Sequence, residues 1–148
     1  MADFLGAMYG QVRKRYRDMS DGTHAEVVAV GTAPIIAVPV IIAKDASESA
    51  EVDLGGRALV GVVCPAAIEA TTTHISVRHG MVSGTRHVRQ VWGTRQQIAI
   101  STTLREAVVD PADYPALQFV SIVCETAAGV AVAQATAARD FVLLTRAI

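Results

Sequence analysis

The segment Val52-Asp-Leu-Gly-Gly-Arg-Ala-Leu-Val-Gly-Val-Val-Cys-Pro-Ala-Ala67 decides the fold of this chain. Its Asp-Leu-Gly-Gly opening supplies turn chemistry, and the valine-rich run at residues 57–64 predicts a buried β-strand after that turn. Pro65 ends the strand because proline has no N–H to donate to a sheet. Gly61 leaves space where another backbone or a bulky side chain can come close. A strand this apolar needs cover on both faces, so the rest of the chain must supply two layers.

Segments on both sides of this strand have the pattern of further short strands. Residues 117–124 form a second fully apolar run and are its natural partner. Residues 33–43 are apolar and contain Pro34 and Pro39, which would break a helix twice and favour extended edge strands. Other strand-like runs lie at residues 25–30, 73–79, 86–92, 96–101, 130–135 and 141–145. With about eight or nine short strands and no long amphipathic helix, the sequence predicts an all-β fold, a jelly-roll-like β-sandwich.

The first 20 residues differ in composition from the rest of the chain. Arg13, Lys14, Arg15 and Arg17, together with Tyr16, place four of the 13 basic residues within five positions. We interpret residues 1–20 as an extended N-terminal arm that becomes ordered on a partner, and residues 21–148 as the β-sandwich domain. Arginine forms bidentate pairs with carboxylates, so the arm is predicted to dock on an acidic protein surface. The alternatives are a solvated arm without specific contacts and a weak nucleic-acid contact.

Composition favours a chain whose surface is partly covered by partners. The 148 residues carry a net charge of −1, which gives no general attraction to nucleic acid. Apolar residues make up 51% and charged residues only 18%, which leaves little polar surface for a monomer. The most apolar window, residues 33–43, is too short and too interrupted by proline to cross a membrane. The predicted interface residues are Arg13, Lys14, Arg15, Tyr16, Arg17, Ile35, Ile36, Val38 and Val40.

The sequence contains no recognisable catalytic motif. It has no nucleophile elbow, phosphate-binding loop or dinucleotide fingerprint, so neither enzyme activity nor a cofactor is predicted. His74 and His79 fall on opposite faces of a predicted strand, which disfavours a metal site. Cys64 and Cys124 are predicted to be buried free thiols, with a disulfide between them under oxidising conditions as the alternative. Trp92, the only tryptophan, is predicted to lie in the core, with a sugar-stacking platform as the alternative.

Two stretches resemble structural proteins of tailed bacteriophages. Residues 13–28, Arg-Lys-Arg-Tyr-Arg-Asp-Met-Ser-Asp-Gly-Thr-His-Ala-Glu-Val-Val, are similar to the opening of many small virion proteins. Residues 53–67 are similar to a strand of β-sandwich proteins on virion surfaces, and residues 134–146 are a looser match. Together these stretches cover about a third of the chain. In size and predicted fold, the chain most resembles the capsid-cementing proteins of the Bordetella-type phage class.

This resemblance implies a virion protein that binds noncovalently to the outside of the phage capsid and stabilises the lattice of the major capsid protein. It would be made in the bacterial host cytoplasm, and its partners would be the major capsid protein and further copies of itself, as a dimer or trimer. The alternatives are another virion component, such as a tail, baseplate or head-fibre protein, and a carbohydrate- or receptor-binding β-sandwich that uses Trp92 and Tyr114. Val-Arg-His-Gly at residues 77–80 lacks the acidic residue and aromatic surroundings of the sugar-binding relatives, which favours the cementing role.

Overall fold

The structure is a computed structural model and describes residues 15–18, 24–27 and 34–147. The chain divides into two compact units, Met1–Thr32 and Ala33–Ile148. In the first unit, Arg15–Asp18 (β1) and His24–Val27 (β2) pair as antiparallel strands. β2 overlaps the strand predicted at residues 25–30. The arm predicted for residues 1–20, and the boundary after it, stay predictions because only β1 of that segment is described.

The described residues of the second unit, 34–147, form ten strands. They are Ile35–Ile42 (β3), Val52–Val63 (β4), His74–Val82 (β5), Thr85–Val88 (β6), Gln90–Val91 (β7), Thr94–Arg95 (β8), Ile98–Ala99 (β9), Glu106–Val108 (β10), Leu117–Glu125 (β11) and Arg139–Arg146 (β12). All of their pairings are antiparallel. None of the described residues is helical, which confirms the predicted all-β class. In the same part of the chain, no helix is long and apolar enough to span a membrane.

β4 is the strand on which the main sheet is organised. The sheet order is β3-β12-β4-β11-β5-β6, with β10 also paired to β4 and β9 to β5. The first half of β4 pairs with β11, and its second half pairs with β12 and β10. Gly55 and Gly56 lie inside the half that pairs with β11, between Asp53 and Arg57, with φ values of 65° and 80° that residues with a side chain rarely adopt. The turn predicted at these glycines is therefore wrong: they lie inside a continuous 12-residue strand and change its direction.

One hydrophobic core is shared by both groups of strands that β4 connects. Val40 and Ile42 of β3 and Phe141 of β12 belong to it, together with Ile75 of β5 and Ile122 of β11. The apolar run at residues 117–124 therefore contributes to the same core as β4, although it pairs with the less apolar first half of that strand.

Gly61 of β4 allows the close approach that its position predicts. A Cβ atom there would lie 3.2 Å from both the Ala107 carbonyl oxygen and Leu144 Cδ1, so glycine gives β10 and the Leu144 side chain room to pack. β3 lies at the end of the sheet order, as predicted for an edge strand. Pro39 is tolerated within it because an edge strand does not need every N–H in a ladder.

Several predicted strands are shorter or interrupted in the structure. The run at residues 86–92 divides into β6 and β7, and the run at 96–101 contains only the two residues of β9. At residues 130–135 a single bridge, Ala131 to Glu125, replaces the predicted strand. In this segment the side chain of Gln134 is buried and donates to Thr72 Oγ1 at 3.0 Å. β10 lies between the runs at residues 96–101 and 117–124, where the sequence predicts no strand.

Both cysteines are buried free thiols, as predicted. Burial raises the pKa of Cys124 to about 12, and the nearby Cys64 contributes in the same direction. Burial also raises the pKa of Cys64 above its ordinary value. A thiol must ionise to act as a nucleophile, so the two cysteines are packing residues.

Gly80 of β5 is predicted to be essential for the β5–β6 hairpin. An added Cβ would lie 1.6 Å from the carbonyl oxygen of Thr85, which is backbone and cannot move aside without breaking the pairing. We expect Gly80→Ala to lower the free energy of unfolding by at least about 3 kcal/mol, measured by urea titration with circular dichroism. Gly84→Ala is the matched control in the same hairpin. A Cβ atom added at Gly84 meets no neighbouring atom, so this variant carries only the strain of φ +84°, about 1 kcal/mol. Equal losses of unfolding free energy in the two variants would contradict the clash at Gly80.

Candidate functional site

The outer surface of β5 and β11 carries polar side chains, and we call it the polar face. Alternation along β5 turns Ile75 and Val77 towards the core and Ser76 towards the polar face. On β11, the side chains of Ser121 and Glu125 likewise point away from the core. Ser76, Ser121 and Glu125 are nevertheless fully buried, because loop residues and arginines from other segments cover them. The sheet is thus covered on both sides in this region.

Glu48 stands at the centre of one half of the polar face. The loop that contains Glu48 runs beside β11, and Glu48 forms an isolated antiparallel bridge with Val123. This pairing places the Glu48 carboxylate over the sheet. Arg78 donates through Nη1 to both Glu48 oxygens at 3.0 and 2.9 Å, and Ser121 Oγ donates at 2.7 Å. Arg86 donates through Nε to Ser121 at 3.0 Å, and its guanidinium lies 3.7 Å from Glu48.

A second carboxylate extends this network to the β5–β6 turn. Glu51 forms an ion pair with Arg86 and accepts hydrogen bonds from Ser83 Oγ at 2.6 Å and from the backbone N–H of Gly84 at 2.8 Å. The loop before β4 is therefore fastened to the hairpin on the far side of the sheet.

Glu125 anchors the other half of the polar face. Its carboxylate has no exposed area and pairs with Arg95, whose Nε donates at 3.0 Å. Gln97 donates to the same carboxylate at 2.7 Å, and Arg95 Nη2 donates to Ser76 Oγ at 3.2 Å. A buried carboxylate needs such partners, since an unpaired buried charge costs several kcal/mol.

The polar face is chemically neutralised and acts as structural cover. Burial by itself would raise the pKa of Glu48, but the hydrogen bond from Ser121 and the charges of Arg78 and Arg86 outweigh it and lower that pKa. Each of the three carboxylates is held by a guanidinium, so no acid or nucleophile is left free in this network. Residues 70–105 contain the sequence signal for this network of ion pairs. They include five arginines and no acidic residue, so the carboxylate partners must come from elsewhere in the chain.

The outer surface of β3, β12, β4 and β10 has the opposite character, and we call it the apolar face. Its side chains lie in rows across the strands. In one row Val142 has Pro39 on one side and Val63 on the other. In the next row Leu144 is opposite Ala37. The face consists of Ile35, Ala37, Pro39, Ile41, Val142, Leu144, Val60, Val63 and Val108. Val108 is 84% exposed, and Ile35, Ala37, Pro39 and Ile41 are exposed as well.

The size of the apolar face is that of an interaction surface. β3 and β12 contribute eight residues each to this surface, β4 contributes six and β10 three, so at a rise of about 3.3 Å and a spacing of about 4.8 Å they cover about 400 Å² of sheet. The largest apolar patch on a soluble monomer is typically about 300–600 Å² and is often functional. Leu144, Val60 and Val108 line a shallow groove of about 310 Å³ across this surface. The apolar face is therefore the candidate functional site.

The predicted interface residues on β3 divide between two surfaces. Ile35 lies on the apolar face, and Ile36 is half-buried. Val38 is half-buried and packs against the core, and Val40 is only 1% exposed, so both side chains face the interior of this chain. The outward residues that the sequence analysis missed are Ala37, Pro39 and Ile41. Period-two alternation could have separated the two sets.

The basic cluster lies in the first unit. Arg15, Tyr16 and Arg17 are residues of β1, and Arg13 and Lys14 lie outside the described residues. Their predicted role in docking stays a prediction.

Trp92 is not in the core, contrary to the prediction. It is 98% exposed at the turn between β7 and β8, with φ +53°, and Gly93 follows with φ +78°. A two-residue turn with both φ values positive joins antiparallel strands well, and this geometry directs the indole into solvent. Tyr114, the other candidate platform, is buried at 3% exposure beneath Arg89, whose guanidinium lies 5.5 Å from the ring centre.

Within the described residues, no group of three or more His, Cys, Asp or Glu side chains could hold a metal ion.

The low pKa of Glu48 makes the stability of the polar face depend on pH. Ionised Glu48 stabilises the fold above its ordinary value of 4.5, and this contribution is lost as the pH falls through the lower folded-state pKa. We expect Glu48→Gln to cost about 1 to 2 kcal/mol at pH 7, since the side chain is partly screened by water, and the cost to shrink below pH 4.5. Thermal unfolding at pH 3 to 8 measures it, with Asp45→Asn as the exposed control. A cost that does not change with pH would contradict the ion-pair account.

No protein-family model, no curated protein and no solved structure matches this chain significantly. The apolar face and the neutralised polar face are therefore the structural basis for proposing a function.

Proposed function

We propose that this chain is a structural protein of a bacteriophage virion that binds noncovalently to the outside of the capsid and stabilises the lattice of the major capsid protein. The observation that carries the proposal is the exposed apolar face on a chain whose buried carboxylates are neutralised by arginine. Such a surface gains free energy by being covered with protein and has no need of a reactive group. The role is structural rather than enzymatic.

The architecture supports this role. Side chains from both groups of strands meet in one core, which favours closure of the antiparallel sheet into a jelly-roll-like β-sandwich. A rigid sandwich presents a flat surface without reorganisation when it binds, so little of the contact energy is spent on ordering. The specific assignment to a capsid is supported by the resemblance of residues 13–28 and 53–67 to phage virion proteins.

Capsid binding can be tested by co-sedimentation of the purified protein with capsids that lack it. We expect stoichiometric binding and a rise in the heat resistance of the capsids. Val108→Glu is expected to weaken binding at least about tenfold, because it places a charge on the apolar face. Val130→Glu is the matched control, since Val130 is also an exposed valine but lies outside that face.

Absence of binding by the wild-type protein would overturn the capsid assignment and favour a tail, baseplate or fibre component. Binding that Val108→Glu and Val130→Glu leave equally strong would show that the apolar face has no part in capsid binding.

The exposed indole of Trp92 favours a second candidate function, recognition of carbohydrate on a host surface. A nearly fully exposed tryptophan offers a flat apolar surface for stacking against a sugar ring. The chain has no other tryptophan, so its intrinsic fluorescence reports on this position alone. If this function is correct, bacterial surface polysaccharide shifts the emission to shorter wavelength and protects it from acrylamide, and Trp92→Ala abolishes binding. Emission that stays solvent-exposed and quenchable at saturating polysaccharide would exclude it.

A further inference from the structure

The apolar face carries opposite charges at the two ends of β12. The side chains of this strand that point outward are, in order, Asp140, Val142, Leu144 and Arg146. The acidic end is exposed and the basic end is half-buried. Among the described residues neither charge belongs to an ion pair, and Arg146 Nε is buried without a hydrogen-bond partner. The order of charges along the strand is therefore negative, apolar, apolar, positive.

We propose that the apolar face is the interface of a symmetric homodimer, in which the faces of two copies pack against each other with their β12 strands antiparallel. The two-fold axis runs parallel to the sheet and across its strands, at the level of Leu143. This operation places Asp140 opposite Arg146 of the second copy and Val142 opposite Leu144 of the second copy. Two identical ion pairs then flank an apolar centre. The inference rests on the proposed function in one respect, that this face contacts protein: the second copy is the protein that covers it, the dimer meets the capsid with its other surfaces, and Val108→Glu weakens capsid binding by separating the dimer.

The neighbouring strands match themselves under the same rotation. Leu143 is opposite Val38 in the register of β12 and β3, so the axis crosses β3 at Val38. Ile35 then meets Ile41 of the second copy, and Ala37 meets Pro39 of the second copy. These pairs are apolar on both sides.

On β4 the axis passes Val62, because Val62 is opposite Leu143, and Gly61 meets Val63 of the second copy. On β10 the axis passes Ala107, which is opposite Val62, so the exposed Glu106 meets Val108 of the second copy at the edge of the face, where its carboxylate can remain in solvent. A self-complementary patch of this kind is what a two-fold interface requires.

The second copy fits this face better than an unrelated protein because the charges are complementary only after the strand is reversed. Face-to-face sheets pack about 10 Å apart, which brings the outward side chains of both copies into contact. Two such faces bury about 800 Å² in total, which is below the range of about 1,200 to 2,000 Å² for stable specific interfaces, so we expect a weak dimer with a dissociation constant of about 100 micromolar that separates on dilution.

Sedimentation velocity over a range of protein concentrations tests the dimer without any capsid. We expect Asp140→Arg and Arg146→Asp each to weaken the dimer at least about tenfold, because each places like charges opposite each other twice. The double variant Asp140→Arg with Arg146→Asp restores opposite pairs and is expected to recover affinity to within about threefold of wild type. A merely destabilised fold would not recover in this way. Asp113→Arg, which reverses an exposed charge off the face, is the matched control and should leave dimerisation unchanged.

Two results would overturn the inference. One is a wild-type protein that remains monomeric at its highest soluble concentration, and the other is a dimer that the charge reversals leave as strong as before. These outcomes are distinguishable from failure of the proposed function, which is measured by capsid co-sedimentation. A monomer that binds capsids contradicts only the dimer, and a dimer that does not bind capsids contradicts only the capsid assignment.

Discussion

The second unit depends on the ability of β4 to pair with two groups of strands. Its first half joins β11 and its second half joins β12 and β10, within one 12-residue strand. Gly55 and Gly56 lie within the half that pairs with β11, where their positive φ values allow irregular pairing and a local bend opposite Leu117 and Phe119. Register irregularities occur in both neighbours, between Leu117 and Phe119 and between Leu144 and Thr145. The neighbouring strands thus adjust to the bend, and both groups can share one core.

The two outer surfaces of the sheet differ in whether they carry paired charged side chains or exposed apolar ones. On the polar face, burial of Glu125 is possible only because Arg95 and Gln97 saturate its carboxylate, and Glu48 is held in the same way by Arg78 and Ser121. That network fastens loops to the sheet and leaves no reactive group. The apolar face has no such cover in the described residues, so its free energy is lowered only when another surface meets it.

An exposed apolar sheet normally carries a risk of uncontrolled association through its edge. Pro39 interrupts the row of N–H groups along the edge strand β3, which disfavours addition of another strand there. Contact is therefore directed to the face, where geometry and charge order limit how two surfaces can meet. The solvent-exposed Trp92 lies outside this face and is a separate point of possible contact.

Local pattern in the sequence was sufficient for the all-β class, the central apolar strand, the edge position of β3, the close approach at Gly61 and the burial of both cysteines. Each follows from side-chain polarity, alternation or the backbone chemistry of glycine and proline. The role of Gly55 and Gly56 as a bend, the exposure of Trp92, the burial of Val40 and Tyr114 and the partners of Glu48 and Glu125 were decided only by the tertiary structure. The reason is physical. Which side of a strand becomes the core, and which distant arginine neutralises a carboxylate, depends on strands that are far apart in the chain and meet only when the sheet forms.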